Sequence, residues 1–267
     1  MKILEHLQEF ERYLKKQQYA DNTVKNYLKT FELFLVEHRS KAIPEDITKE
    51  EITTFLHSKP NPNTQSTFFM PIKVFYRNLT EQPEKVEGIS VASRGKRKIP
   101  EIIDRQFLLR QINDTVNIKH KTMLSTIYSA GLRTGQLIGL LIEDVNSEKL
   151  TLVVRDTKGR PYKSVDISPK VAALCKEYIR LYTPTKHLFN GVSNRQYSPR
   201  SLGSVVKKCI GEEYTVEMIR NSTVAFLLEN GTDMKLIQSH LGHAEMKTTR
   251  RHLKASVHIP AKLKLPL

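Results

Sequence analysis

The sequence predicts a mainly α protein with one small β-sheet, built as an N-terminal four-helix bundle followed by a larger, mostly helical domain. Three observations predict it. Apolar residues recur at helical spacing through most of the chain, β-rich residues gather in two short stretches around one turn-forming hexapeptide, and a segment rich in proline, glycine and basic residues interrupts the periodicity near residue 90. With 267 residues the chain has room for two medium domains.

The first 80 residues supply the bundle. Leu4, Leu7, Phe10 and Leu14 form one apolar stripe. Asp21-Asn22-Thr23 has the composition of a helix cap, ahead of Val24, Tyr27, Leu28, Phe31, Phe34 and Leu35. After a loop ended by Pro44, Thr48 and Glu51 make a capping-box pattern before Ile52, Phe55 and Leu56. A Pro- and Asn-rich loop then leads into a helix over 64–79, with Phe68, Phe69, Ile72, Phe75, Tyr76 and Leu79 on its apolar face. Pro71 lies inside this stretch and is expected to kink or shift it.

Residues 81–98 read as a basic linker, because Pro83, Gly88 and Gly95 punctuate it and Arg94, Lys96, Arg97 and Lys98 cluster at its end. That cluster is either a solvated tether or a strap lying on phosphates. Beyond it, helices are expected over 104–116, 119–130, 134–141, 169–182, 199–209, 217–230 and 233–240, the last two split by the stop signal Asn230-Gly231. Between them, 150–155 and 162–167 are β-rich and flank the turn composition of 156–161, so a hairpin is expected. The tail, 255–267, holds Ile259, Leu263, Leu265 and Leu267 but is interrupted by Pro260 and Pro266, which argues against a helix.

Composition bounds the function. No run of 18 apolar residues exists, which excludes a membrane-spanning helix, and the charged start MKILEHLQEFERYLKK lacks the apolar stretch of a secretory signal. Cys175 and Cys209 are the only cysteines. They exclude a disulfide scaffold and a four-thiolate zinc site, and point to the reducing cytoplasm. The hydrophobic content of 39% is low for a globular chain but above that of a disordered one. A formal charge of +15 points to a polyanionic partner, nucleic acid first. Residues 1–98 carry 17 basic and 13 acidic side chains, and residues 99–267 carry 26 and 15, so the larger domain holds most of the field.

Three segments carry a resemblance. The first is YSAGLRTGQL, Tyr128 to Leu137, followed by Leu140 and Asp144-Val145. The second is the turn Thr157-Lys158-Gly159-Arg160, and the third runs from Thr215 to Thr249, TVEMIRNSTVAFLLENGTDMKLIQSHLGHAEMKTT. In this order, behind a helical bundle and a linker, they resemble the tyrosine site-specific recombinases, the phage-integrase and Xer-like family. The resemblance covers nearly the whole chain and is densest from 128 to 253. It implies a SAM-like helical DNA-binding domain over 1–80, a recombinase-type catalytic domain over 99–254, and a clamp around duplex DNA. It also implies a tail that exchanges between protomers, the alternative being a strand folded back on its own domain. The family's chemistry is strand cleavage by a tyrosine through a 3′-phosphotyrosyl link, with no metal and no cofactor.

What the resemblance assigns is carried residue by residue. Arg133 matches the first family arginine and Arg220 the second. Two arginines suit this chemistry because they grip non-bridging phosphate oxygens and offset the charge of the phosphorane. Lys158 matches the hairpin lysine that protonates the leaving oxygen, and His243 the histidine of the L-G-H box. Arg160 joins Arg94, Lys96, Arg97 and Lys98 as an expected DNA contact.

Four positions depart from the pattern. The nucleophilic tyrosine is expected nine residues after His243, and the residue there is His252; the last tyrosine of the chain is Tyr214. Glu217 replaces the histidine of H-x-L-R, Asn221 the histidine that commonly follows the arginine, and Gln136 the glutamate of the first box. Together they imply a DNA-binding homologue that has lost cleavage. The alternatives are an active enzyme with His252 as nucleophile and an interaction scaffold. Double-stranded DNA is the expected partner, with self-association through the tail or association with an active recombinase. Restoring cleavage is expected to need tyrosine at 252 and histidine at 217, with histidine at 221 as a further aid.

Overall fold

In the computed structural model, which describes residues 3–91, 100–156, 159–241 and 266, the chain divides into two units, Met1–Arg97 and Lys98–Leu267. The first holds α1 (Ile3–Lys16), α2 (Asp21–Glu37), α3 (Lys49–His57) and α4 (Pro62–Leu79). Its core is aromatic: Phe31 and Phe75 meet with ring centroids 4.4 Å apart, and Phe10 closes edge-on against Phe75 at 5.7 Å. The hydroxyl of buried Tyr76 donates to the Pro44 carbonyl at 2.6 Å, tying α4 to the turn before α3. The capping box before α3 forms as expected, with Glu51 N–H to Thr48 Oγ1 at 3.2 Å and Thr48 N–H to Glu51 Oε2 at 2.8 Å.

Four details of this unit differ from the sequence reading. Leu4 is 68% exposed, and Ile3 takes its place on the apolar stripe of α1, packing on the core with Leu7. The N-cap of α2 is Ala20, without a side-chain cap, and Asp21 lies in the first turn, where its charge favours the helix dipole. Helix α4 starts at Pro62, two residues before the expected 64, and runs on through Pro71, which is buried inside it. An interior proline costs about 3 kcal/mol, whereas burying a large apolar side chain returns about 1.5–3 kcal/mol, and Ile72, Phe75 and Tyr76 are all buried here. Finally, the first half of the expected linker belongs to the bundle. Val86 is buried in a short 3-10 turn, Ile89 and Val91 pack on the core, and Lys85 Nζ donates to the carbonyls of Glu45 and Ile47. The proline and glycine of this stretch hid three apolar anchors. Arg94, Lys96, Arg97 and Lys98 lie outside the described residues.

The second unit runs α5 (Arg105–Asp114), α6 (Ile118–Ala130), α7 (Thr134–Gly139), β1 (Val145–Asn146), β2 (Thr151–Arg155), β3 (Pro161–Asp166), α8 (Pro169–Tyr182), α9 (Pro199–Cys209), α10 (Val216–Glu229) and α11 (Met234–Leu241). The expected hairpin is β2–β3, and β1 adds a third antiparallel strand in the order β1-β2-β3. Leu152 pairs with Val165 and Val154 with Lys163. Two helices form the middle of the unit. All residues from Thr122 to Ala130 in α6 and from Ile219 to Leu228 in α10 are buried, which is why neither shows a one-sided stripe in sequence. Thr223 Oγ1 joins them by donating to the Tyr128 carbonyl at 2.8 Å.

Caps fix where the elements start and stop. Side chains of Asp104, Asn117, Ser168, Ser198 and Thr215 accept N–H bonds from the first turns of α5, α6, α8, α9 and α10. Helix α10 ends at Asn230-Gly231 as its sequence predicts: Gly231 has φ +69°, its N–H donates to Leu228, and Thr232 N–H donates to Leu227. Of the tail, Pro266 is described, and it is buried.

Gly131 ends α6 where it packs closely against Leu241 of α11. Its φ is +60°, and a Cβ placed on it would stand 2.3 Å from Leu241 Cδ2 of α11. Gly131→Ala therefore combines backbone strain with a steric overlap and should cost about 2–4 kcal/mol. Urea unfolding checks this; a change below about 0.5 kcal/mol would mean that α11 moves aside freely.

Candidate nucleic-acid interface

The G-L-R segment leaves α6 through Gly131 and presents Arg133 at the N-cap of α7, exposed. Gln136, at the family's glutamate position, accepts the Arg133 N–H at 2.9 Å through Oε1. An amide oxygen caps as a carboxylate oxygen would, so this departure preserves the local turn that carries Arg133.

Arg220 projects from the buried middle of α10 and is 2% exposed. Its Nη1 donates to the Gly131 carbonyl at 2.6 Å and its Nη2 to the Leu241 carbonyl at 3.4 Å. Both acceptors lie at helix C-termini, of α6 and α11, where unpaired carbonyls and the negative end of the dipole gather. The desolvated guanidinium is thus compensated by backbone. Burial pushes the Arg220 pKa down to about 10, the nearby charge of Arg133 pushes the same way, and Glu217 opposes both.

A third cation stands with these two. Lys163 of β3 donates through Nζ to the His240 carbonyl in the last turn of α11. Burial lowers its pKa to about 7, and the charges of Arg220 and then Arg133 add to the shift. The sequence reading missed Lys163. The available signal was strand alternation: Lys163 and Val165 share the inward face of β3, and a lysine on an inward face is uncommon. His240 is 6% exposed, and its Nε2 has no hydrogen-bond partner among the described residues. Burial first, and the Lys163 charge second, take its pKa down to about 4, so it is neutral at pH 7.

The remaining sequence-predicted residues fall in three places. Glu217 is exposed in the first turn of α10, three residues before Arg220, where a carboxylate also favours the helix dipole. Asn221 faces elsewhere: it is buried and its Nδ2 donates to the Glu101 carbonyl at 3.1 Å. Arg160 is paired within its own turn, with Nη2 2.8 Å from Asp156 Oδ2. Such an exposed pair is worth about 0–1 kcal/mol, so a phosphate can compete for it. Lys158, His243 and His252 lie outside the described residues. Asp144 of the first box holds the hairpin. Its buried carboxylate accepts the Leu141 N–H at 2.8 Å and pairs with Arg155, whose Nη1 reaches the Gly159 carbonyl at 3.1 Å. Among the described residues no cluster of three or more His, Cys, Asp or Glu side chains is placed to hold a metal ion, and no helix is long and apolar enough to cross a membrane.

A helical SAM-like unit, followed by a helical unit that sets an arginine pair beside a β-hairpin, is the architecture of an integrase-type recombinase. The phage integrase family model matches residues 104–257, and the model of the family's N-terminal SAM-like domain matches residues 6–85. The chain belongs to the phage integrase family. It is 26% identical over 259 residues to the tyrosine recombinase XerA of Pyrococcus horikoshii, covering 94% of this chain and 89% of the relative. It is 27% identical over 275 residues to a tyrosine recombinase of Thermosipho africanus, covering 94% of each. Its fold is similar to the crystal structure of the XerH site-specific recombinase bound to a palindromic difH substrate, with a TM-score of 0.71 at 18% identity over 95% of this chain and 92% of that one.

Proposed function

We propose that this chain is a recombinase homologue that binds duplex DNA through the Arg133–Arg220 pocket and does not cleave it. The observation that supports binding most is the convergence of Arg133, Arg220 and Lys163: both arginine charges press on the lysine and lower its proton affinity, and Arg133 does the same to Arg220. Like charges are held together at a cost, and a bound phosphate relieves that cost while accepting bidentate hydrogen bonds. The formal charge of +15 supplies the long-range field. The loss of cleavage rests on the residues at the reacting positions, His252 for the nucleophile and Glu217 for a neutral or cationic donor.

Fluorescence anisotropy with a short labelled duplex tests the binding half. Affinity should fall steeply with salt, the slope of log K against log salt being about −0.9 for each phosphate neutralised. Absence of binding at low salt would sink the reading.

A further inference from the structure

By resemblance to the family, the hairpin lysine is Lys158. A second lysine of the same hairpin, Lys163, stands beside the arginine pair, on the carbonyl next to the one that Arg220 meets. We propose that Lys163 is a phosphate-holding residue in its own right, closing on the DNA phosphate beside Arg133 and Arg220 and taking up a proton from solvent as it does so. This deepens the DNA-binding reading above and rests on it.

The geometry carries the argument. The β3 alternation turns Lys163 inward, and its amine is hooked on the His240 carbonyl at the C-terminal end of α11. Arg220 donates to the next carbonyl of that helix, Leu241. One helix terminus therefore anchors the lysine and one arginine side by side. A lysine ammonium has three donors, and the carbonyl hook takes one.

The charges facing Lys163 are Arg220 from α10 and Arg133 from the start of α7, and the neutral imidazole of His240 from α11 lies beside them. Asp166, also on β3, acts on His240, and Glu217 acts on Arg220. His240 stays neutral above about pH 4, so it is not the cation that meets the phosphate. In the free protein Lys163 loses its proton near pH 7, because burial and two guanidinium charges disfavour the ammonium. An incoming phosphate reverses the sign of the local field and raises the proton affinity of the amine, so binding and protonation are linked. The sign follows. The free-state pKa is the lower one, so affinity is full below about pH 7 and declines as pH rises toward the higher pKa of the complex. One linked proton with a midpoint near 7 gives about a tenfold loss of affinity between pH 6 and pH 8.

A purely structural role for Lys163, as a cap on α11, predicts no such profile. The test is anisotropy of the full chain with a short duplex at pH 6 and pH 8, for the wild type, Lys163→Met and Lys163→Arg. Lys163→Met should bind about tenfold more weakly at pH 6, lose the pH dependence, and show a salt slope smaller by about 0.9. Lys163→Arg, protonated throughout this range, should bind well and be flat with pH. Circular dichroism establishes that the variants are folded. Should Lys163→Met not fold, Lys163→Arg decides alone: a flat profile supports the proposal and a retained tenfold decline overturns it. Equal binding by the wild type and Lys163→Met at pH 6 overturns it as well and leaves DNA binding standing. A wild type that binds no duplex at low salt overturns both readings.

Discussion

Arg220→Ala should weaken duplex binding roughly ten- to hundredfold and remove a large part of the stability of the second unit, whereas Arg133→Ala should weaken only the binding. The two residues occupy matching roles in sequence but opposite environments. Arg220 is 2% exposed and bridges the Gly131 and Leu241 carbonyls. Truncation leaves two helix-terminal acceptors without this partner and a void where the side chain lay, at a cost of about 2–4 kcal/mol. Arg133 is exposed at the start of α7, and its side chain presses on Arg220 and Lys163 with like charge. Losing it should change stability by less than about 0.5 kcal/mol. In the proposed complex each arginine would supply charge-assisted bonds to a phosphate, worth about 1.5–3 kcal/mol and thus roughly ten- to hundredfold in affinity. Arg220→Lys is the informative intermediate, since it keeps a charge but cannot span two carbonyls, and it should recover little stability. Urea unfolding alongside anisotropy separates the effects. If Arg220→Ala unfolds at the wild-type midpoint, the carbonyl bridge carries no structural load.

Elements with strong local signals were legible in the sequence. The capping box of Thr48 and Glu51 and the stop at Asn230-Gly231 mark helix ends by chemistry that acts within one turn. What was not legible depends on the tertiary partner. The strand β1 has two residues and no period to read. Val86 looked like linker because its anchoring depends on Lys85 reaching carbonyls 38 and 40 residues away. The same division runs through the site. Arg133 and Arg220 are marked by motif, yet the motif does not say that one is exposed and the other buried. Lys163 belongs to no motif position carried over. Its place in the pocket depends on α11 delivering the His240 carbonyl, from 77 residues further along the chain.

The wild-type chain should form no covalent DNA adduct, and the single substitution His252→Tyr should restore almost none. Cleavage needs a nucleophile in line with the leaving oxygen and a neutral or positive donor beside the phosphate. By the family resemblance, His252→Tyr is expected to supply the first. It leaves Glu217, whose carboxylate sits one helical turn before Arg220 and already acts on it. At about 4 Å from a phosphate oxygen, that charge costs roughly 4 kcal/mol at an effective dielectric near 20. Removing it corresponds to roughly a thousandfold in rate. The double variant His252→Tyr, Glu217→His should therefore far exceed the product of the single effects, as expected for groups acting as one catalytic unit. Against the expectation from sequence, Asn221→His should add nothing. The Asn221 amide is buried and bonded to the Glu101 carbonyl, and its loss would loosen that segment instead of adding a donor to the pocket. The assay is denaturing-gel detection of protein-linked DNA from a nicked duplex, on which a completed cleavage cannot religate. An adduct formed by the wild type and lost in His252→Ala would make His252 the nucleophile, joined to phosphorus through nitrogen. An adduct as abundant with His252→Tyr alone as with the double variant would show that the carboxylate of Glu217 does not face the reacting phosphate.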